Sequence, residues 1–237
     1  MNFFYNWIFT CMTDDNLMSQ FIRVVFGLCC IYSTYILAEP QNVGLLKHEV
    51  SEYYHSGAYQ SDLNKQITKA EQDILALAHR HPKELREHHL AIVLDIDETS
   101  LSNANSILAR DYAGMFKLIH NDIMKANAPA IKPMLKLYND AQKQGIKVFF
   151  VTGRFVSERQ ATIKNLKKAG YRNWSGLYLR PENYNAKSII PFKSQARAKI
   201  TQKGYLILAS IGDQYSDIKG GYAQKGYKLV NPFYYVP

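Results

Sequence analysis

The amino-acid sequence predicts an α/β fold in which one parallel sheet is covered by helices on both faces. Short β-branched and aromatic runs alternate with helical patterns from residue 90 to residue 230, and such alternation requires parallel strands joined by helical crossovers. Acidic or hydroxyl residues directly follow several of these runs, as at the ligand-binding edge of a Rossmann-like sheet. The 237 residues, 47% of them hydrophobic, suffice for one full-sized domain, because single cores stop growing near ~250 residues.

Each element is predicted from its local pattern. Apolar residues at spacings of four and three predict a helical extension before the sheet; they are Leu63, Ile67, Ala70, Ile74 and Leu77. Residues 39–57 show no clear period. The predicted strands cover residues 90–94, 148–151, 177–179, 205–211 and 228–230, with helices from Ser157 towards Gly170 and over residues 192–203. Residues 100–133 interrupt the alternation and predict a small, mostly helical insertion after the first strand, placed to cover the site.

The first 38 residues predict a leader segment. An apolar run over residues 24–37 follows Arg23, and its length of about 14 residues is below the ~20 needed to cross a bilayer. We therefore expect a signal peptide, with Met18 as a candidate true start, and export to the periplasm or the exterior. An uncleaved membrane anchor is the alternative. Residues 39–237 would then form a single domain.

Cysteine usage and charge exclude several classes of function. All three cysteines lie before residue 31, so the rest of the chain has no disulfide framework, zinc–thiolate site or cysteine nucleophile. The formal charge of +9 suits nucleic acid, an anionic membrane or an anionic small substrate. The lysines form no clustered run and no recognised nucleic-acid module is present, so nucleic-acid binding is a minor alternative and no such partner is expected. The four histidines between residues 79 and 89 match no metal-ligand spacing.

Four short motifs follow predicted strands or begin a helix. They contain, in chain order, Asp95 and Asp97, Thr152 and Gly153, Lys193, and Asp213 and Asp217. Because the carboxyl ends of parallel strands meet at one edge of a sheet, we expect these side chains to converge.

This ordered set resembles the haloacid dehalogenase (HAD) superfamily of phosphotransferases. Within it, the resemblance is to the acid phosphatase branch, which holds the bacterial class C enzymes and the plant vegetative storage proteins. The first motif of that family matches Val-Leu-Asp-Ile-Asp-Glu-Thr at residues 93–99, and the second, third and fourth motifs match Thr152, Lys193 and the pair Asp213 and Asp217. The resemblance implies a HAD-like fold over roughly residues 63–230.

The chemistry of phosphoryl transfer explains these residue types. Asp95 is the candidate nucleophile, forming an aspartyl-phosphate, and Asp97 is the candidate general acid and base. Carboxylates beside a phosphate require a hard cation, and we expect Mg²⁺ on Asp95, the Asp97 backbone carbonyl and Asp213, with Asp217 as a further ligand or an outer partner.

Thr152, Gly153 and Lys193 are the candidate phosphate-binding residues, because their donors would stabilise the phosphoryl oxygens. Arg154 is expected to pair with a structural carboxylate rather than with substrate. The aromatic residues Tyr53, Tyr54, Tyr59, Tyr112 and Phe116 are expected to serve packing rather than stacking on a nucleobase.

The sequence thus predicts an exported, Mg²⁺-dependent acid phosphatase for small phosphomonoesters, with nucleotides among the candidate substrates. A catalytically weak storage or binding protein on the same fold is the alternative, against which the retention of Asp95 argues. The natural substrate and the oligomeric state are left open.

Overall fold

A computed structural model describes residues 40–236 of the chain. Its centre is a five-stranded, fully parallel sheet in the order β3-β2-β1-β4-β5. The strands are β1 Leu90–Leu94, β2 Lys147–Phe155, β3 Gly176–Arg180, β4 Leu206–Gly212 and β5 Lys225–Lys228. The predicted α/β fold is therefore confirmed. The predicted leader, residues 1–38, lies outside the described residues.

Helices surround this sheet and connect its strands. They are α1 Val43–His55, α2 Ala58–His79, α3 Pro82–Arg86, α4 Ala104–Ala109, α5 Phe116–Lys125, α6 Lys132–Lys143, α7 Arg159–Lys168, α8 Ile190–Gln202 and α9 Tyr215–Ile218. Among the described residues, no helix is both long enough and apolar enough to cross a membrane.

The residues of β1 alternate between two hydrophobic clusters, one on each face of the sheet. Leu90, Ile92 and Leu94 join the larger cluster, which includes residues of α2 and α6. Ala91 and Val93 point to the opposite face and join the cluster that contains residues of α8. Successive side chains of a strand point to opposite faces, so a strand buried on both faces is apolar at every position.

Helix α1 was not predicted, because its sequence shows no clear period. None of its residues is buried; the half-buried Val50, Tyr53 and Tyr54 pack against the large cluster. So shallow a contact leaves no broad apolar stripe in the sequence. Helix α2, by contrast, buries four of its five predicted core positions, Leu63, Ile67, Ala70 and Ile74, and only the fifth, Leu77, is partly exposed.

Several predicted boundaries are shifted, among them the end of β2, which lies at Phe155 rather than at residue 151. The last strand is observed at Lys225–Lys228 rather than at residues 228–230. The apolar residue Leu229 is buried just beyond it and donates its backbone N–H to the Gly212 carbonyl at 2.8 Å. Helix α7 begins at Arg159, after a 3₁₀ turn over Val156–Glu158 that contains the predicted start at Ser157. The shift of the last strand has a local cause, because β5 is an edge strand with a lysine at each end and therefore lacks the apolar run by which a strand is recognised.

The insertion between β1 and α6 contains the helices α4 and α5, as predicted. A single antiparallel bridge between Leu101 and Ala130 joins its two ends. The insertion leaves the sheet at the carboxyl end of β1 and returns at the start of α6. It therefore lies over the edge of the sheet where the predicted site residues are found.

Candidate active site

The loop after β1 carries Asp95 and Asp97 in a tight turn. The backbone N–H groups of Ser100 and Leu101 both donate to the Ile96 carbonyl at 2.8 Å. This turn places Glu98 at φ 52°, in the left-handed region. Such a conformation is costly for a residue with a side chain and persists where surrounding contacts hold it, often at functional sites.

Lys193 joins the first motif to the last. Its ammonium donates to Asp95 Oδ1 at 2.8 Å and also to Asp217 Oδ1. The lysine lies in the first turn of α8, which has a proline near its start, and it is only 4% exposed. Burial acts to lower the pKa of Lys193, but the neighbouring carboxylates outweigh it and hold the pKa above its ordinary value. The competing lysines, Lys187 and Lys199, are exposed.

Asp213 and Asp217 follow β4 and face Asp95. A carboxylate oxygen from each of the three lies within 4.8 Å of the others, and all three residues are buried. Burial, followed by the charge of Asp217, raises the pKa of Asp213 to about 6 and that of Asp95 well above its usual range. The Asp217 side chain packs directly against the backbone of Gly212, and only glycine permits this, because a Cβ at that position would clash with Asp217 Cγ.

The three carboxylates fit a divalent cation. When all three are ionised, Lys193 supplies one positive charge against three negative charges, and a cation would compensate the remaining two in this buried space. Hard oxygen ligands of this kind are those that Mg²⁺ prefers. Among the described residues, this is the one group of three or more potential ligands, and the histidines between residues 79 and 89 form no such group.

Asp97 is held by an arginine that lies beside it on the neighbouring strand. Arg154 of β2 donates from Nη2 to Asp97 Oδ1 at 2.7 Å and from Nε to Oδ2 at 3.0 Å, and Asn103 Nδ2 donates to Oδ1 at 2.8 Å. Burial acts to raise the pKa of Asp97, but the Arg154 guanidinium outweighs it, with help from Asn103, and holds this pKa below its usual range. Arg154 therefore pairs with a predicted site carboxylate, whereas a purely structural partner was expected.

Thr152 and Gly153 lie within β2, which runs to Phe155 rather than ending before Thr152 as the sequence predicts, and the register with β3 shifts after Thr152. Thr152 is fully buried, and its Oγ1 accepts a hydrogen bond from the Arg154 backbone N–H at 3.1 Å. Gly153 lines the cavity described below, as Lys193 does, and Thr152 is not among its lining residues.

A cavity of about 840 Å³ opens over these residues. Its floor includes Asp95 and Lys193, and its walls come from the insertion, from β2 and from the segment after β5. Tyr112 and Phe116 of the insertion line this cavity, so these two aromatic residues do not serve packing alone, whereas the sequence predicts a packing role. Tyr54 and Tyr59 have the expected role, because both rings pack against Phe233 at centroid distances of 6.0 and 5.2 Å.

The segment after β5 contributes polar groups that no sequence pattern indicated. Asn231 Nδ2 donates to Asp213 Oδ2 at 2.6 Å, and the Tyr234 hydroxyl donates to Glu98 Oε2 at 2.9 Å. Gln214 Nε2 also donates to Asp213 Oδ2 at 2.6 Å. Burial, followed by the charges of the neighbouring aspartates, raises the pKa of Glu98 to about 8. These groups orient the acidic side chains from the outside of the site.

The fold and the ordered acidic and basic residues at its edge define the class of protein. A family model described as HAD superfamily, subfamily IIIB (acid phosphatase), matches residues 38–237. The chain belongs to this family, and it is a phosphoric monoester hydrolase of the acid phosphatase type.

Similar proteins come mainly from plants. The "Stem 28 kDa glycoprotein" of Glycine max is 36% identical over 195 residues, which cover 78% of this chain and 72% of the relative. "Acid phosphatase 1" of Solanum lycopersicum is 36% identical over 148 residues, which cover 61% of this chain and 58% of the relative. The structure of the class C acid phosphatase from Bacillus anthracis has the same fold, with a TM-score of 0.63 at 20% identity over 81% of this chain and 86% of that one.

Proposed function

We propose that this chain is an exported, Mg²⁺-dependent acid phosphatase that hydrolyses small phosphomonoesters through an aspartyl-phosphate on Asp95. The observation that carries the proposal is the buried ammonium of Lys193 shared between Asp95 and Asp217, with Asp213 beside them. A buried lysine that holds a nucleophilic carboxylate in place also provides positive charge where phosphoryl oxygens would bind.

In the first step, an Asp95 oxygen forms a bond to phosphorus while the bond from phosphorus to the ester oxygen breaks. Asp97 donates a proton to that leaving oxygen. In the second step, Asp97 takes a proton from water, the water oxygen bonds to phosphorus, and the bond from phosphorus to Asp95 breaks. Phosphate leaves and both carboxylates regain their initial states. The cycle starts with Asp97 protonated. Arg154, which favours the anionic form, makes Asp97 a stronger proton donor in the first step and leaves it anionic to accept a proton from water in the second.

Mg²⁺ would be held by Asp95, Asp213 and the Asp97 backbone carbonyl, and when bound it neutralises charge on the phosphoryl oxygens. Both Asp217 oxygens already accept hydrogen bonds, one from Lys193 and one from the Gln214 backbone N–H at 2.8 Å. Because one of these bonds comes from the buried Lys193, Asp217 serves as an outer partner that orients the lysine or as a further ligand. Lys193 and the Gly153 backbone would bind the phosphoryl group, since both line the cavity. Thr152, predicted as a third phosphate-binding residue, is fully buried and does not line it.

The test is hydrolysis of phenyl phosphate by protein lacking residues 1–38, with Mg²⁺ and with a chelator. We expect turnover that the chelator abolishes and added Mg²⁺ restores. Asp95→Asn keeps the side-chain shape and removes the attacking charge, so it should lower turnover by several orders of magnitude, and fluoroberyllate should form its adduct on Asp95 in the unmodified protein. Activity that persists in the chelator would contradict the mechanism.

Export is supported by the apolar run of residues 24–37 and by the glycoprotein name of the soybean relative. Residues 18–38 fused to a reporter that is active only outside the cytoplasm should give signal, and the mature chain should begin near Glu39. Recovery of the uncut chain from the cytosol would contradict export.

The alternative is a catalytically weak storage or binding protein. The phenyl phosphate assay separates the two, because a storage protein would show no Mg²⁺-dependent turnover and no difference between the unmodified chain and Asp95→Asn.

A further inference from the structure

One arginine in the active-site cavity, Arg180, forms no ion pair and donates no hydrogen bond within residues 40–236. Arg180, the last residue of β3, lines the same cavity as Asp95 and Lys193. Its guanidinium carbon lies 4.0 Å from the ring centroid of Phe155, which is its register partner on β2. Stacking on an aromatic face holds the planar guanidinium in one orientation.

The nearby carboxylates are engaged elsewhere. Glu158 Oε1 lies 2.9 Å from His120 Nδ1, and its Oε2 accepts the Phe155 backbone N–H at 2.8 Å. Glu182 accepts the Ser157 backbone N–H at 2.8 Å. Within residues 40–236, neither forms an ion pair with Arg180, whose guanidinium donates no hydrogen bond.

The Nε–H of Arg180 is buried and without a hydrogen-bond partner. A buried donor left unpaired is costly, and native proteins keep few of them. Burial lowers the pKa of Arg180, while the charges of the nearby Glu158 and Glu182 act to raise it, and an arginine keeps its charge in proteins. Arg154 differs in this respect, because its guanidinium donates two hydrogen bonds to the carboxylate of Asp97.

We infer that Arg180 recognises an anionic group on the leaving group of the substrate. This inference rests on the proposed function, because it assigns the second anion to a phosphomonoester whose phosphoryl group lies at Asp95. The fixed fork of a guanidinium matches a carboxylate or a second phosphate with two parallel hydrogen bonds. The preferred substrates are therefore phosphomonoesters with an additional acidic group, in preference to neutral alkyl or aryl esters.

The experiment measures binding of phosphonates, which the enzyme cannot hydrolyse, to the full chain by calorimetry in Mg²⁺. Benzylphosphonate is the reference ligand. Its meta- and para-carboxy derivatives carry the carboxylate, and para-xylylene bisphosphonate carries the second phosphate-like group. We expect at least one of these ligands to bind about 10- to 100-fold more tightly than benzylphosphonate, the effect expected of a charge-assisted, bidentate contact.

Arg180→Met should bring the affinities to within about twofold of the reference, and Arg180→Lys should keep only part of the preference. Arg80→Met, a change at an exposed arginine that does not line the cavity, should keep all of it. If Arg180→Met does not fold, as judged by circular dichroism, the comparison with Arg180→Lys decides.

A preference that survives in the Arg180 variants overturns the inference, as does equal or undetectable binding of all ligands to the unmodified chain. The gain in affinity over benzylphosphonate, compared between the carboxylate ligands and the bisphosphonate, tells which anion is preferred. Hydrolysis of phenyl phosphate is measured in parallel; its absence contradicts the proposed function and leaves the phosphonate comparison valid.

Discussion

Replacing Lys193 with methionine removes one charge from the centre of the site and keeps much of the side-chain volume. Lys193 is 4% exposed, and its ammonium contacts two buried carboxylates, Asp95 and Asp217. The change leaves those two carboxylates facing each other without the ammonium between them.

Two magnitudes follow from this geometry. Removing one partner from a buried ion pair costs about 3–5 kcal/mol of stability, and for a domain of this size each kcal/mol lowers Tm by about 2–4 °C. The Tm of Lys193→Met should therefore fall by roughly 6–20 °C in a chelator, and less in Mg²⁺, which would offset part of the repulsion. Loss of one preorganised donor to the transition state costs about 2.7–4 kcal/mol, so turnover should fall by ~10² or more.

The assay combines thermal unfolding, with and without Mg²⁺, and turnover of phenyl phosphate. Lys187→Met and Lys199→Met are the matched controls, because both lysines are exposed. Their stability should change by less than about 0.5 kcal/mol and their turnover by less than about threefold. If Lys199→Met were the crippling change and Lys193→Met stayed active, the assignment of the third motif would be wrong.

Three further substitutions test the surroundings of the site. Arg154→Lys removes the bidentate contact to Asp97, the proposed general acid and base, so kcat should fall about tenfold while KM stays within about threefold, as steady-state kinetics would show; a change in KM alone would contradict a positioning role. Gly212→Ala places a Cβ 2.1 Å from Asp217 Cγ, so turnover should fall by about 10² or more, and normal kinetics would refute the close approach. Asn231→Ala removes the 2.6 Å hydrogen bond to Asp213, so the Mg²⁺ concentration for half-maximal turnover should rise about tenfold or more; an unchanged requirement would place Mg²⁺ elsewhere.

The sequence by itself determined the fold class and the residues of the four motifs. Strand β1 is apolar at every position because it is buried on both faces, and Asp95 and Asp97 follow it directly. Helix α2 was predicted because its buried face repeats at helical spacing. In both cases the signal lies within a few consecutive residues, so no knowledge of distant contacts is needed.

Contacts between distant residues were decided only by the tertiary structure. Arg154 meets Asp97 across 57 positions because β2 lies beside β1 in the sheet, and no spacing indicates which carboxylate an arginine will choose. Asn231 reaches Asp213 because the chain after β5 returns along the carboxyl edge of the sheet. Arg180 forms no ion pair within the described residues because the nearby carboxylates of Glu158 and Glu182 are hydrogen-bonded to other groups. Local patterns specify which residues are buried, whereas partners depend on strand order and side-chain direction.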